Sequence, residues 1–354
     1  MINSNKSLPP YFCLRFCLLL LSWGLATAHA QESSEETRLS ILLRLQPELV
    51  SVSGSAARLR GTDGLTLTDG WSGGSKNSGN FGALFVDASQ SISPSLSAFS
   101  RFGFNIDLNG LKDGDAKNRD LYIGIASPLG RLYAGRIAAA YKDAGIAWDP
   151  LNATFMQSRG NLGRSGGPFG HGGYLDRSLA YDHTFGPAKV KATISFDQTI
   201  PGDTTGSDDH AVSASVIIPR GAFELLAAYV DGSQYEGGTK ERDALKLGVH
   251  YTSGPWVFGA MTESRGSGLE DGDIVYMTSS YRHEKWRFST NLGVFEDNKG
   301  INDGTYFALG ARYQFHQSIS AHAGVRQIDR DVSGKETIAG IGLRFILNTG
   351  NLIR

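Results

Sequence analysis

Cysteine is nearly absent from this sequence. The two that occur, Cys13 and Cys17, both lie within its first thirty residues. The rest of the chain has no disulfide and must draw its stability from elsewhere. Long apolar runs are missing too. The run Phe16 to Leu21 is far shorter than the roughly 20 residues of a spanning helix, and no window after residue 30 approaches one. An excess of charge of one sign is also missing, with 34 Lys and Arg against 35 Asp and Glu. That balance gives no reason to expect nucleic acid or a strongly acidic partner. No phosphate-binding loop with its Gly-Lys-Ser/Thr end occurs, and no cofactor is expected.

The first thirty residues read as a secretory signal. Lys6 and Arg15 supply a positive start, the leucine run follows, and Ala28-His29-Ala30 is a small-residue cleavage site. Residues 1–30 are thus expected to be removed, leaving one β domain over 31–354. Without Lys6 and Arg15, 32 cations face 35 acids, a net charge of −3. Glycine is plentiful (45 residues), as many strands and turns require.

Alternation of apolar and polar residues dominates that domain. Ile41, Leu43, Leu45 and Leu49 share one parity, and Ser40, Arg44, Gln46 and Glu48 the other. Leu245, Leu247 and Val249 alternate with Lys246, Gly248 and His250. Ile319, Ala321, Ala323 and Val325 alternate with Ser320, His322 and Arg326. A period of two puts each set on its own strand face. The pattern predicts about sixteen strands, the first over 39–53, the second over 79–90 and the last over 336–346. Short turns such as Pro128-Leu129 and Gly186-Pro187 alternate with long polar connections, including 54–78 and 138–175. That is the two-ended layout of a transmembrane antiparallel β-barrel. A closed barrel of this size is too wide for side chains to fill, so its polar face is expected to meet water and its apolar face lipid. Trp256, Tyr281, Trp286, Tyr313 and Phe345, at strand ends, fit an interfacial aromatic girdle.

The longest connection, 138–175, carries Trp148, Phe155 and Met156, which must pack against something. Just before it stand Arg119-Asp120-Leu121-Tyr122-Ile123-Gly124-Ile125 and Leu129-Gly130-Arg131-Leu132-Tyr133-Ala134-Gly135-Arg136. This pair of runs resembles the "Arg-x-x-Tyr-x-Gly-Leu … Phe-Gly-x-x-x-x-Gly-Arg" pattern of the general porins of Gram-negative bacteria. Asp149-Pro150 in the long connection is similar as well. The motif-level resemblance covers 79–198, and the layout nearly the whole mature chain.

The resemblance implies a homotrimer of sixteen-stranded barrels in the outer membrane, with the third loop folded into the lumen. Lipid, lipopolysaccharide and small hydrophilic solutes would be its partners. Arg119 and Arg136 match the family's wall arginines, and Asp143 and Asp149 its loop acids. Parity adds Arg44 and Arg101 to the polar face. Four wall arginines against two acids suggest a mild preference for anions. Two departures stand out: Asn80 replaces a frequent second-strand arginine, and the chain continues past Phe345, where the family usually ends on an aromatic residue.

Other signals carry less. Gly163-Arg164-Ser165-Gly166-Gly167 fits a hydrolase nucleophile pattern, but the strand-turn-helix that chemistry needs is absent around it. Asp208-Asp209 and Glu270-Asp271-Gly272-Asp273 are acidic loop runs of the kind that can take calcium or magnesium, but such runs are more often solvated loop charges. No catalytic residue and no metal site is expected. A barrel with a closed pore serving as an adhesin, or a barrel hydrolase, are the alternatives to a diffusion channel.

Overall fold

The computed structural model describes residues 36–69, 81–106, 108, 118–158, 174–196, 210–234, 243–266, 272–298, 300 and 303–350. The expected signal, Asn80, Gly163–Gly167, Asp208–Asp209 and Glu270–Asp271 lie outside the described residues.

Strand segments make up almost all of it. They are β1 (Thr37–Leu45), β2 (Glu48–Ser53), β3 (Gly64–Thr68), β4 (Ala83–Ser93), β5 (Leu96–Asn105) and β6 (Asn118–Ser127). Next come β7 (Gly130–Ala138), β8 (Tyr174–Phe185), β9 (Ala188–Phe196), β10 (His210–Arg220), β11 (Phe223–Gln234) and β12 (Asp243–Ser253). The series ends with β13 (Trp256–Arg265), β14 (Gly272–His283), β15 (Trp286–Asp297), β16 (Gly304–His316), β17 (Ile319–Arg330) and β18 (Glu336–Asn348). Two short helices, α1 (Ser55–Leu59) and α2 (Ala140–Asp143), lie in connections.

All pairings are antiparallel, and β1 joins β18 to close the sheet. Two wall positions each hold two segments, β1 with β2 and β3 with β4, so the barrel has sixteen strands, as the alternation predicts. β1 and β2 keep one register along β18, from Leu42↔Asn348 to Ser53↔Thr337. Pro47 interrupts them because it has no N–H to offer the ladder. On their other side β4 pairs with β1 and β3 with β2. β3 falls in a stretch expected to be loop. Its Leu65 and Leu67 do alternate with Thr66 and Thr68, but five residues are too few to stand out in a sequence.

Two-residue turns join β4–β5, β6–β7, β8–β9, β10–β11, β12–β13, β14–β15 and β16–β17, all at one end. Gly186 and Gly254 adopt the left-handed φ that such tight turns demand. Phe345 is not the end of the last strand. Thr349 N donates to Ile41 O (3.0 Å) and Ile41 N to Thr349 Oγ1 (2.9 Å), so the tail stays zipped to β1.

The outer face is apolar. Ile123, Leu225, Leu247, Met277, Leu292, Leu309 and Ile341 all stand exposed on it. Burial of such a surface needs a solvent that is itself apolar, which a lipid bilayer is. Aromatic pairs cross neighbouring strands near the short turns: Phe223–Tyr251 (4.6 Å), Trp256–Tyr281 (4.5 Å) and Trp286–Tyr313 (4.8 Å). Such a belt suits the level of lipid headgroups.

Candidate functional site in the barrel interior

Residues 139–158 leave β7 and run inside the barrel. Ala139, Ala140, Tyr141, Trp148, Leu151, Phe155 and Met156 are all buried. The inward faces of β10–β18 and β2 receive them, apolar against apolar, with Val50, Leu226, Ala228, Met261, Ile274, Tyr306 and Ile338. Glycines make the seats: a side chain at Gly248 would strike the Trp148 ring, and one at Gly310 would strike Met156 and Leu151.

Polar groups then bolt the loop to the wall. Lys246 Nζ donates to Tyr141 O (2.9 Å) and Ala144 O (3.3 Å), while Tyr141 Oη donates to Glu263 Oε2 (2.9 Å). Thr278 Oγ1 donates to Trp148 O (3.1 Å). Glu48 accepts Phe155 N (3.1 Å) and pairs with His322 (2.7 Å). Arg344 reaches Asn152 O and Ala153 O at 3.2 and 3.3 Å. The contacts of Lys246, Thr278, Glu48 with Phe155, and Arg344 meet loop backbone groups that helix or sheet would otherwise satisfy.

The opposite wall stays open. A cavity of about 370 Å³ lies between the start of the loop and β1, β4–β9. Its lining holds six cations (Arg44, Arg101, Arg119, Arg131, Lys142, Lys191) and three acids (Asp120, Asp143, Asp182). A second cavity of about 290 Å³ shares Arg101, Tyr122 and Arg131 with it. This one extends to Ser97 and Ala126, beside the β4–β5 and β6–β7 turns, so the two cavities form a polar path toward the short-turn end.

Charges along the path are partly paired. Arg101 forks onto Asp87 (2.6 and 2.9 Å), and Arg131 onto Asp182 (2.8 and 2.7 Å). Lys191 Nζ donates to Asp143 (2.5 Å) and to Ala138 O (2.9 Å). Arg119 Nε donates to Tyr174 Oη (3.1 Å), and Lys142 Nζ sits 3.2 Å from the centre of the Tyr174 ring. The Arg44 guanidinium lies over Phe81 and Phe85, at 5.2 and 4.9 Å. A guanidinium over a ring face is held by the ring's quadrupole.

Four of the six residues expected at a constriction meet here: Arg44, Arg101, Arg119 and Asp143. Arg136 and Asp149 do not line the cavity, which departs from the expectation. Alternation along β7 sets Arg136 on the face opposite Arg131, Tyr133 and Ile137, which line the cavity. The β7–β8 register shifts between Gly135 and Ile137, with Gly135 and Arg177 at positive φ, and the Arg136 side chain turns to Asp176 (2.6 Å). Asp149 is a buried staple of the loop. It accepts Leu151 N (2.8 Å), Ser158 N and Oγ (both 2.9 Å) and Asn291 Nδ2 (2.6 Å). Parity and motif do not single out Arg131, Lys142, Lys191, Asp120 and Asp182 as a group, which only the cavity brings together. Lys191 shows on the polar parity of its strand. Lys142 has no periodic signal, because it sits on a single helical turn.

Among the described residues, no group of three His, Asp or Glu side chains is placed to hold a metal ion. No curated protein matches the chain by sequence. Solved structures match its fold. An anion-selective porin from Comamonas acidovorans superposes with a TM-score of 0.73 at 14% identity, over 88% of this chain and 100% of that one. OmpF of Salmonella typhi, in complex with daunomycin, gives 0.66 at 12% identity, over 90% and 99%. OmpT of Vibrio cholerae in its trimer form gives 0.65 at 16% identity, over 88% and 100%. The sequence profile of the Gram-negative porins matches residues 20–333. With the closed sixteen-stranded barrel and its inward loop, this places the chain in the Gram-negative porin family, as an outer-membrane protein.

Proposed function

We propose that this porin lets small hydrophilic solutes and ions diffuse passively through the β1, β4–β9 side of the barrel, with a preference for anions and no reaction catalysed. The observation that carries the reading is the lining of the 370 Å³ cavity, six cations against three acids. Fixed charge in a narrow, partly desolvated passage raises the local concentration of counter-ions and repels co-ions. The anion selectivity of the Comamonas neighbour supports the same sign.

The trimer form of the Vibrio neighbour supports a homotrimer for this chain. Cross-linking in detergent should then give a species three times the mass of one chain. The exposed apolar face supports lipid and lipopolysaccharide as its surroundings. Cleavage after Ala30 follows from the signal pattern, and N-terminal sequencing of protein from outer membranes should begin at Gln31.

The deciding experiment is a planar bilayer with a KCl gradient. Stepwise conductance with a reversal potential on the chloride side is expected. A reversal potential on the potassium side would sink the preference, and a silent bilayer would favour a closed barrel that serves as an adhesin.

A further inference from the structure

We propose that the 370 Å³ cavity is a binding site for ring-bearing monocarboxylates of the benzoate kind, with the carboxylate seated on Arg44 and the ring among the aromatic side chains. The idea rests on the anion-passing reading and deepens it.

Arg44 is the distinctive cation of the cavity. Arg101 and Arg131 each spend their guanidinium fork on a wall carboxylate. Arg44 has no ion pair among the described residues, and its buried Nε has no hydrogen-bond partner. A buried N–H with nothing to donate to is costly, and a planar fork matches a carboxylate. Stacking on Phe81 and Phe85 holds that fork in place without using its donors.

The apolar part of the lining offers nothing to an inorganic ion. Phe85, Tyr122, Tyr133, Tyr174, Ile137 and Ile146 face the cavity beside the cations. Tyr122 and Tyr133 lie 4.8 Å apart and pack on Phe99 at 6.2 and 5.9 Å, so the ring surface is braced from behind. A hydrated chloride gains nothing from such groups and loses water beside them. A ring-bearing acid places its apolar part there and its charge on the cation. The volume falls within the roughly 300–1,000 Å³ of pockets that enclose small organic ligands.

The test is single-channel recording in symmetric KCl with benzoate, acetate or inorganic phosphate added at equal concentration. Benzoate should interrupt the chloride current in brief, concentration-dependent events, and acetate and phosphate should not. Arg44→Gln should weaken that block about tenfold. Arg44→Lys keeps the charge but loses the fork. It should still weaken the block, which a role for charge alone would not predict. Tyr122→Leu should narrow the gap between benzoate and acetate. Equal interruption by all three anions, or none by benzoate, would overturn the site even in an anion-selective pore. The KCl gradient without benzoate reports separately whether the anion preference itself stands.

Discussion

The two halves of the barrel interior use the same residue types in opposite ways. On the β10–β18 and β2 side, Lys246, Glu263, Glu48 and Arg326 are wholly buried, and most of their partners belong to the wall or to the bolted loop. On the β1, β4–β9 side, Arg101, Arg131 and Lys191 pair with acids but keep part of their surface open to the path. The first set excludes water and holds a loop. The second keeps water and sets a field. A charge in a barrel is thus not pore chemistry because it points inward. What matters is whether the loop covers it.

That contrast can be broken most forcefully at Lys246. Lys246→Ala removes one partner of a buried charge and strands two loop carbonyls. It should lower the stability of the barrel by about 3 kcal/mol, near the low end for a broken buried pair because Arg265 still faces Glu263. Urea unfolding in detergent measures this. The reversal potential of the surviving channels should be unchanged.

Asp149→Ala acts on the loop itself. It leaves two backbone N–H groups, a hydroxyl and the Asn291 amide without their acceptor. The expected loss is about 2 kcal/mol, with open-channel noise and faster proteolysis within 149–158. An unchanged noise spectrum and cleavage rate would remove Asp149 from its role as a staple.

The open wall should answer in current and not in stability. A unit charge about 10 Å from a permeating ion in water favours an anion by about 0.4 kcal/mol and disfavours a cation by as much, or about fourfold in their permeability ratio. Arg119→Gln should therefore lower the anion-to-cation ratio about fourfold, while unfolding midpoints stay close to wild type. Arg136→Gln should have the smallest effect, because its charge is spent on Asp176 outside the cavity. Equal shifts for the two variants would put Arg136 back on the path.

Much of this was legible in the sequence. Alternation placed nearly every strand, and the number of strands, too many for a filled interior, told the outer face from the inner one. Arg44 and Arg101 were found by parity alone, because each falls on the polar face of its strand. Arg136 came from the motif instead, and the parity of its own strand sets it opposite Arg131, Tyr133 and Ile137, away from the cavity. Asp149 misled for another reason. An acid in a loop looks the same whether it faces water or caps backbone N–H groups, and only its neighbours decide.

The sequence by itself determined a sixteen-stranded barrel with an apolar outside, because side-chain period and turn spacing are local properties of the chain. It also carried the family motif before the third loop. The tertiary structure alone decided which half of the interior that loop fills. That choice depends on Gly248, Gly310, Glu48 and Lys246, residues far apart in the chain that act only when the closed sheet brings them to face residues 139–158. With it came the position of the passage, the company of rings around Arg44, and the division between charges that hold and charges that steer.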